Sequence, residues 1–355
     1  MPSLVYGLQR ARNSLAIVAL LCSSPIAAVA QPEPFYQLAH SYMLGGEGGW
    51  DYLTYDAATK RIFISRGTHV MVVAPATGTV VGDIPGTGGV HGIAIAGDLG
   101  KGYTSNGRDN TVTVFDLASF KPLATIAVPG QNPDAIAYDA PTHRVVTFNG
   151  RSRDATIIDA RTDAVVATVP LGGAPEFAAA DGRGMMYDNL EDTSEQVAID
   201  LRAAKVVKRW KVAGCDGPSG LAMDQKSRRL FSGCANGVMA IVDPDAGSVV
   251  ATVPIGKGSD AIAFDDASNF IFSSNGGDGT LTVVHEDGPN AYHVAQNATT
   301  RSGARTCAVN GATHEVYAVT ALFDLASPAP DATPGARPRR TMRPGTFTLL
   351  VISPA

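Results

Sequence analysis

Short runs in which apolar and polar residues alternate fill the chain from residue 36 onwards. Residues 92–96, 110–116 and 122–128 are such runs, rich in β-branched side chains, and Asp- and Gly-rich turns such as 243–248 separate similar runs elsewhere. Alternation of period two with β-branched residues is typical of strands. No long segment of this part has the 3.6-residue apolar period of a helix. The pattern predicts an all-β fold.

One unit of four predicted strands recurs seven times along the chain. Successive copies are spaced by 40, 43, 42, 43, 41 and 46 residues. Their first strands read WDYLTYD from Trp50, VHGIAIAG from Val90, PDAIAYD from Pro133, PEFAAAD from Pro175, PSGLAMD from Pro218, SDAIAFD from Ser259 and RTCAVNG from Arg305. A four-stranded unit with this period is typical of a propeller blade. We therefore expect a seven-bladed β-propeller of four-stranded antiparallel blades.

The two ends of the repeat array complement each other. The seventh copy lacks a fourth strand at the C-terminus, and residues 36–44 form a strand-like segment before the first copy. We expect this N-terminal strand to complete the last blade, because pairing would remove an open sheet edge between the first and last blades.

The first thirty residues have the pattern of a secretory signal peptide. Arg10 and Arg12 precede the apolar run 15–21, and the segment ends in Ala28-Val29-Ala30. The run is too short for a membrane span, which needs about 20 residues. We expect cleavage after Ala30, a periplasmic or secreted monomer without a transmembrane segment, and one propeller domain over residues 31–355.

Composition adds one exception to an otherwise acidic chain. The net charge of −5 gives no general reason to bind nucleic acid. The Pro-rich interruption at 323–345, however, carries a basic cluster. Its members are Arg337, Arg339, Arg340 and Arg343. The sequence leaves two interpretations open: a solvated loop, or an arm that binds an anion, a partner or a nucleic acid.

Two stretches resemble a known repeat. GYTSNGRDNTVTVFD from Gly102 and IFSSNGGDGTLTVVH from Ile271 are similar to the YVTN repeat of the YncE-like exported β-propellers. The resemblance covers nearly the whole mature chain and implies an exported, WD40-like propeller. It implies little about activity, since propellers serve many unrelated functions. VTFNG at Val146, MYDNL at Met186 and FISRG at Phe63 depart from the motif.

The second residue of each first strand should face the central channel, where seven equivalent positions form a ring. These residues are Asp51, His91, Asp134, Glu176, Ser219, Asp260 and Thr306. Converging carboxylates could bind Ca²⁺ or Mg²⁺, or Zn²⁺ with His91, and the metal candidates are His91, Asp134 and Glu176. A cationic or hydroxyl-rich organic ligand fits equally, and so does a merely solvated channel mouth.

A second ring is expected at the ends of the second strands. Its residues are Arg66, Asn106, Asn149, Asn189, Cys234, Asn275 and Thr320. Asn closes turns with its side chain, which is one interpretation. The other is a collar of amides around a ligand, with Arg66 holding an anion.

Cys215 and Cys234 flank the first hairpin of the fifth copy. Antiparallel pairing brings the ends of a hairpin together, and the exported context is oxidising, so we expect a disulfide. Cys307 is expected to be a buried free thiol.

No nucleophile–base pair can be assigned from the order of residues, so we assign no catalytic residue. The leading hypothesis is a non-catalytic binding or interaction module that holds a small molecule or an envelope protein at the channel end. The alternative is a metal-assisted lactonase or other hydrolase, with Glu176, Asp134 or His91 holding the metal.

Overall fold

The computed structural model describes residues 35–326 and 339–355, together with residues 1 and 3. In these ranges the regular structure is β, apart from two single 3₁₀ turns at Gly97–Leu99 and Glu191–Thr193. The all-β prediction is confirmed. The expected signal peptide lies almost wholly outside the described residues. None of the helices in the described ranges has the length and hydropathy needed to cross a bilayer.

The described ranges contain twenty-nine strands in chain order. They are β1 (Tyr36–Met43), β2 (Leu53–Asp56), β3 (Arg61–Ser65), β4 (Gly67–Ala74), β5 (Thr79–Ala96), β6 (Lys101–Asn106), β7 (Thr111–Asp116), β8 (Pro122–Ala127), β9 (Pro133–Asp139), β10 (Arg144–Asn149), β11 (Asp154–Asp159), β12 (Ala164–Pro170), β13 (Pro175–Ala180), β14 (Met185–Leu190), β15 (Glu195–Asp200), β16 (Lys205–Lys211), β17 (Pro218–Asp224), β18 (Arg229–Cys234), β19 (Val238–Asp243), β20 (Ser248–Pro254), β21 (Ser259–Asp265), β22 (Phe270–Asn275), β23 (Thr280–Gly288), β24 (Ala291–Thr299), β25 (Cys307–Asn310), β26 (Glu315–Thr320), β27 (Phe323–Ala326), β28 (Arg339–Met342) and β29 (Thr348–Pro354).

These strands form antiparallel meanders. The long β5 is the last strand of sheet I (β2 to β5) and the first strand of sheet II (β5 to β8), so the two are hydrogen-bonded as one seven-stranded sheet. Sheets III (β9 to β12), IV (β13 to β16), V (β17 to β20) and VI (β21 to β24) each have four strands. Sheet VII has the order β1-β29-β26-β25. Strand β1 therefore lies beside β29, with Tyr36 opposite Pro354 and Met43 opposite Thr348.

Turn chemistry explains why each inner hairpin forms where it does. Asp56 and Asp224 end first strands and accept hydrogen bonds from backbone N–H groups two residues on, at 3.1 and 2.8 Å. Such Asp turns reverse the chain without help from tertiary contacts. The last turn residue then takes a left-handed φ, as Lys60 and Arg228 do at 54°.

Apolar side chains pack between neighbouring sheets. A separate buried cluster lies between each successive pair from I to VII, for example Phe63 with Phe115 between sheets I and II. A further cluster joins sheet VII to sheet I, where Tyr317 and Val319 pack with Ile64. Every sheet thus buries both faces, which is the main source of stability in a fold of this type.

The first strands of neighbouring sheets approach closely. Thr54 Oγ1 donates to the carbonyl of Ile93 at 2.8 Å, and Thr306 Oγ1 donates to the carbonyl of Asp51 at 2.6 Å. At Gly220 a Cβ atom would lie 2.6 Å from the backbone nitrogen of Ile262, so only glycine fits without a shift of backbone. The first strands of neighbouring sheets are therefore held side by side, and their first residues lie at the same end of the sheets.

Candidate functional site

A cavity of about 350 Å³ lies at the start of the innermost strands. Five carboxylates, one guanidinium and two aromatic rings contribute to its wall. The lining residues are Asp51, Tyr52, Asp134, Glu176, Phe177, Glu191, Gly217, Ser219, Ala235, Gly258, Ser259, Asp260 and Arg305. Five members of the first predicted ring are among them. His91 contacts the ring member Asp51, whereas Thr306 donates its hydroxyl to the Asp51 carbonyl.

A repeated irregularity in the strands directs these side chains. In sheet IV, Pro175 pairs with Leu190, but the register shifts before Ala178, so Glu176 and Phe177 have no ladder partner. Sheets II, III, V and VI have a register shift in the same place. A bulge of this kind re-aims side chains. Two consecutive residues of one strand, Glu176 and Phe177, consequently line the same cavity.

Arg305 neutralises one side of the cavity. Its Nη2 lies 3.0 Å from Asp51 Oδ1, and its Nη1 is paired with Asp260 Oδ2. Asp260 Oδ1 also accepts a hydrogen bond of 2.9 Å from the Ser219 hydroxyl. These contacts join residues from sheets I, V, VI and the segment before β25. Burial alone would lower the pKa of Arg305, but Asp260 and Asp51 raise it.

His91 connects this side to Asp134. Its Nδ1 lies 2.6 Å from Asp51 Oδ2 and 3.6 Å from Asp134 Oδ1. Burial opposes the charge of the ring, but the hydrogen bond to Asp51 and the charge of Asp134 raise the pKa of His91 above its ordinary value. One ligand atom from each of these three residues lies within 4.8 Å of the others, so the group could hold a metal ion.

On the other side of the cavity the pKa values of two carboxyl groups are raised. Burial, reinforced by the charges of Asp134, Glu191 and Asp260, raises the pKa of Glu176 to about 9. Burial also raises the pKa of Asp134 to about 6, with His91 opposing and Asp51 adding to the effect. When several carboxyl groups lie close together without a cation between them, they cannot all ionise.

A buried acid lies behind this side. Asp188 on β14 is fully buried, and neither of its carboxyl oxygens has a hydrogen-bond partner among the described residues. Burial and the charge of Glu176 raise its pKa well above the ordinary value. Asp188 is therefore held in its neutral, protonated form. It would ionise only if a cation bound nearby.

Two aromatic rings meet in the centre. Tyr52 of sheet I and Phe177 of sheet IV stack with ring centroids 4.3 Å apart and planes tilted by 29°. Burial, together with the surrounding carboxylates, raises the pKa of Tyr52 well above its ordinary value, so the phenol stays neutral. The stacked pair gives an acidic cavity an aromatic surface.

The second predicted ring is buried inside the sheets and does not face the cavity. Asn106, Asn149 and Asn275 are fully buried. Each donates from Nδ2 to hydroxyl or carboxylate oxygens of its own sheet, as Asn275 does to Thr280 and Thr282 at 3.0 and 2.8 Å. Turn closure explains these residues, because their amides are already engaged within the protein.

Asn189 occupies a different register from the one predicted. Pro175 pairs with Leu190, so Leu190 holds the position that Asn149 and Asn275 hold in their sheets. Asn189 instead donates to the Ser219 carbonyl at 2.8 Å and accepts from Gln196 at 3.0 Å. The predicted equivalence of Asn189 with the other asparagines is wrong by one residue, which in a strand changes the face.

Arg66 does not reach the cavity either. Its buried guanidinium donates to the backbone carbonyls of Gly45, Glu47 and Gly48 at 3.2, 2.8 and 2.9 Å. It also lies over the Phe347 ring, 3.6 Å from the centroid. Burial lowers its pKa to about 10. Arg66 thus fastens the chain after β1 and leaves no room for the anion that the sequence suggested.

The predicted disulfide is confirmed. Cys215 and Cys234 are bonded, with Cα atoms 5.4 Å apart, and the nearby Gly217 and Ala235 line the cavity. Cys307 is a buried free thiol, as expected. The disulfide therefore constrains one wall of the cavity.

The interruption at 323–345 begins and ends as a hairpin of β27 and β28. Arg343 Nη2 forms an ion pair with Asp324 Oδ1 at 2.6 Å. Arg337 lies outside the described residues, and only the backbone of Arg339 and Arg340 is described. The anion-binding arm stays a prediction.

Sequence analysis missed Tyr52, Phe177, Glu191 and Arg305. The first two directly follow predicted ring residues, and Arg305 directly precedes one. The proline or serine that opens several first strands signals an irregular start, but the size of the register shift is visible only in three dimensions.

Solved structures with the same fold were found. One is "Kuenenia stuttgartiensis Hydrazine Synthase", with a TM-score of 0.68, 15% identity and coverage of 77% of this chain and 92% of that one. The others are U3-55K and the RRP9 WD40 repeats, both with a TM-score of 0.73 and 11% identity. The match with U3-55K covers 90% of this chain and 99% of U3-55K. The match with the RRP9 repeats covers 89% of this chain and 99% of that one.

The fold is of the WD40 β-propeller type. Identities this low show the fold alone. No protein-family model and no curated protein sequence matches the chain. The resemblance to YncE-like repeats therefore stays a prediction.

Proposed function

We propose that the chain is a binding protein whose seven sheets close into a propeller, and that its central cavity holds a small organic cation bearing an ammonium group. The observation that carries this proposal is the acidic side formed by Asp134, Glu176 and Glu191. Among the described residues none of these three carboxyl groups forms an ion pair with Lys or Arg; Asp134 has only His91, at 3.6 Å. A buried charge without a partner is costly, and Glu176, whose pKa burial raises to about 9, retains its proton until a cation replaces it.

The other features of the cavity favour an organic cation over a bare one. Tyr52 and Phe177 offer ring faces, which attract ammonium groups through their quadrupoles. Ser219 and Asp260 offer hydrogen-bonding oxygens on the far wall. A cavity of about 350 Å³ is at the small end of the range for small-molecule sites. An amine could therefore contact carboxylates, an aromatic surface and a hydroxyl at once.

Closure of the propeller is part of the proposal, because it brings the carboxylates together. The apolar cluster between sheets VII and I and the pairing of β1 with β29 support it. Arg305, from the start of the seventh repeat, contacts Asp51 of the first. This contact joins residues 254 positions apart in the chain.

Titration calorimetry with 1,4-diaminobutane and other small amines tests the ligand. At neutral pH we expect binding with release of protons, detected as a heat that changes with the ionisation enthalpy of the buffer, because ammonium replaces the proton on Glu176. The double variant Asp134→Asn/Glu176→Gln should weaken binding by at least about 100-fold, the loss of two charge-assisted contacts. Glu47→Gln makes the same change at an exposed site and should leave affinity unaltered. Equal affinity in the double variant would place the ligand elsewhere.

A metal-assisted lactonase or hydrolase is the second candidate, supported by the grouping of Asp51, His91 and Asp134. Arg305 disfavours it, because a guanidinium 3.0 Å from Asp51 repels a metal ion on the same carboxylate. Stoichiometric metal in the purified protein, with lactone hydrolysis that His91→Gln abolishes, would favour this candidate over amine binding.

We also propose export to the periplasm as a YncE-like protein, with cleavage after Ala30. The Cys215–Cys234 disulfide supports an oxidising location. Expression of the full chain in a bacterium should give a periplasmic protein that starts at Gln31 and has one blocked cysteine pair by mass measurement. A retained N-terminus, or reduced Cys215 and Cys234, would contradict export.

A further inference from the structure

Two histidines and one aspartate meet on the outer hairpin of sheet VI. His285 on β23 pairs directly with His293 on β24. Asp287 lies in the register shift between Glu286 and Gly288, two residues after His285. Successive strand residues point to opposite faces, so the alternation separates these three from Glu286 and Tyr292. The side chains of His285, Asp287 and His293 are 30%, 43% and 56% exposed, so a solute can reach them.

One carboxylate contacts both rings. Asp287 Oδ1 lies 2.8 Å from Nδ1 of His285, and Oδ2 lies 2.6 Å from Nδ1 of His293. These hydrogen bonds lower the pKa of Asp287 below its ordinary value. The bond from His293 has the larger effect and the bond from His285 the next. A neutral imidazole that donates from Nδ1 keeps its lone pair on Nε2. A carboxylate that fixes the tautomer of metal-binding histidines in this way is common in metal sites.

The hairpin beneath the cluster is anchored. Arg229 of sheet V donates from Nε to the Pro289 carbonyl at 2.7 Å and from Nη2 to Asn290 Oδ1 at 3.1 Å. On the other face, the Tyr292 hydroxyl donates to Glu286 Oε1 at 2.9 Å. The turn that follows Asp287 is thus fixed by a neighbouring sheet, and the opposite face of the hairpin by its own hydrogen bond, which keeps the three side chains together.

We propose that His285, Asp287 and His293 form a binding site for one divalent transition-metal ion such as Zn²⁺. One ligand atom from each residue lies within 4.8 Å of the others. The two imidazoles would bind the metal, and Asp287 would either bind it too or orient the imidazoles through its hydrogen bonds. In both cases coordination positions remain for water or for a ligand from another molecule. Imidazole nitrogen selects Zn²⁺, Cu²⁺ and Ni²⁺, whereas Ca²⁺ and Mg²⁺ prefer oxygen ligands.

This site is separate from the central cavity. In sheet VI, Asn275 pairs with Ser259 and Thr280 at the cavity end, whereas Phe270 pairs with His285 at the opposite end of the strands. The proposed metal site therefore does not depend on the proposed amine site, and each can fail without the other.

Calorimetric titration of the whole mature protein with Zn²⁺ tests the proposal. We expect one equivalent to bind at these residues and His293→Gln to abolish that event. Asp287→Asn should weaken it by about 10- to 100-fold, because the histidines lose their orienting carboxylate. His69→Gln is a matched control, since His69 also lies beside a carboxylate, 3.6 Å from Asp83, on sheet I. Ca²⁺ should give no such event.

The variants also separate the outcomes. Asp134→Asn/Glu176→Gln should retain the Zn²⁺ equivalent, which would exclude the central cavity as its location. His293 is exposed, so its variant should unfold at the same temperature as the parent. Zn²⁺ binding that persists in His293→Gln, or its absence up to about 1 mM metal, would overturn the proposal.

Discussion

Removal of residues 35–43 is expected to abolish the stable fold or to lower the unfolding temperature by more than about 10 °C. The deletion removes β1, which pairs along its length with β29 and supplies Tyr36, 1% exposed, to the cluster between sheets VI and VII. Tyr36 also exchanges two backbone hydrogen bonds with the Gln296 side chain, at 2.6 and 2.8 Å. Loss of one buried aromatic side chain costs about 3–5 kcal/mol, and an exposed sheet edge adds to this.

Point variants separate the strand from its end effects. Tyr36→Ala alone should destabilise by about 3 kcal/mol, whereas Met43→Ala on the same strand should be nearly neutral because Met43 is 76% exposed. Urea unfolding of each protein gives these values. A synthetic peptide of residues 34–44 should restore the unfolding temperature of the deleted protein in trans. A deleted protein as stable as its parent would show that β1 does not hold sheet VII.

The repeat pattern predicted strands well because each strand has its own evidence in the sequence. Alternating runs, Asp turns and a period near 42 residues all indicate the same element, so their agreement is informative. As a binding site the first predicted ring stays a prediction, but five of its seven members line one cavity. Asp51, Asp134, Glu176 and Asp260 each stand one residue after the start of a repeat and line the cavity. At Asp134, Glu176 and Asp260 the strand has a register shift there.

The structure contradicts the collar interpretation of the second predicted ring, because its buried side chains already have partners within the protein. Asn149 has its hydrogen-bond partners five and seven residues downstream, at Asp154 and Thr156, and needs no ligand. Asn189 is one residue out of register, and Arg66 binds carbonyls some twenty residues upstream.

Contacts between remote strands were equally invisible in the sequence. The stacking of Tyr52 on Phe177 joins the first and fourth repeats. Glu176 at a strand start and Glu191 in the 3₁₀ turn that follows the next strand line the same cavity. Such contacts join sheets that lie far apart in the chain, so no single repeat predicts them.

Replacement of Glu176 by Gln is expected to remove much of the loss of stability that the protein suffers as pH rises. The folded protein holds a proton on Glu176 up to a pKa of about 9, whereas the unfolded chain loses it near 4.5. Between these values the folded state binds more protons than the unfolded state, so the free energy of unfolding falls as pH increases. Below pH 4.5 both states are protonated, and this contribution is fully present. Glutamine does not titrate, so the variant should keep that contribution at high pH.

The expected difference is on the order of 3 kcal/mol between pH 5 and pH 9, less than the full linkage value because Glu176 keeps partial contact with solvent. Urea unfolding at pH 5, 7 and 9 measures it. Asp134 and Asp188 also have raised pKa values, so a smaller slope should remain in the variant. Glu47→Gln removes an exposed carboxyl and should leave the parent's pH profile unchanged. If Glu176→Gln loses stability with pH as steeply as the parent, Glu176 is ionised in the folded protein. The acidic side of the cavity would then have its charge without a cation, and amine binding would release no proton from Glu176.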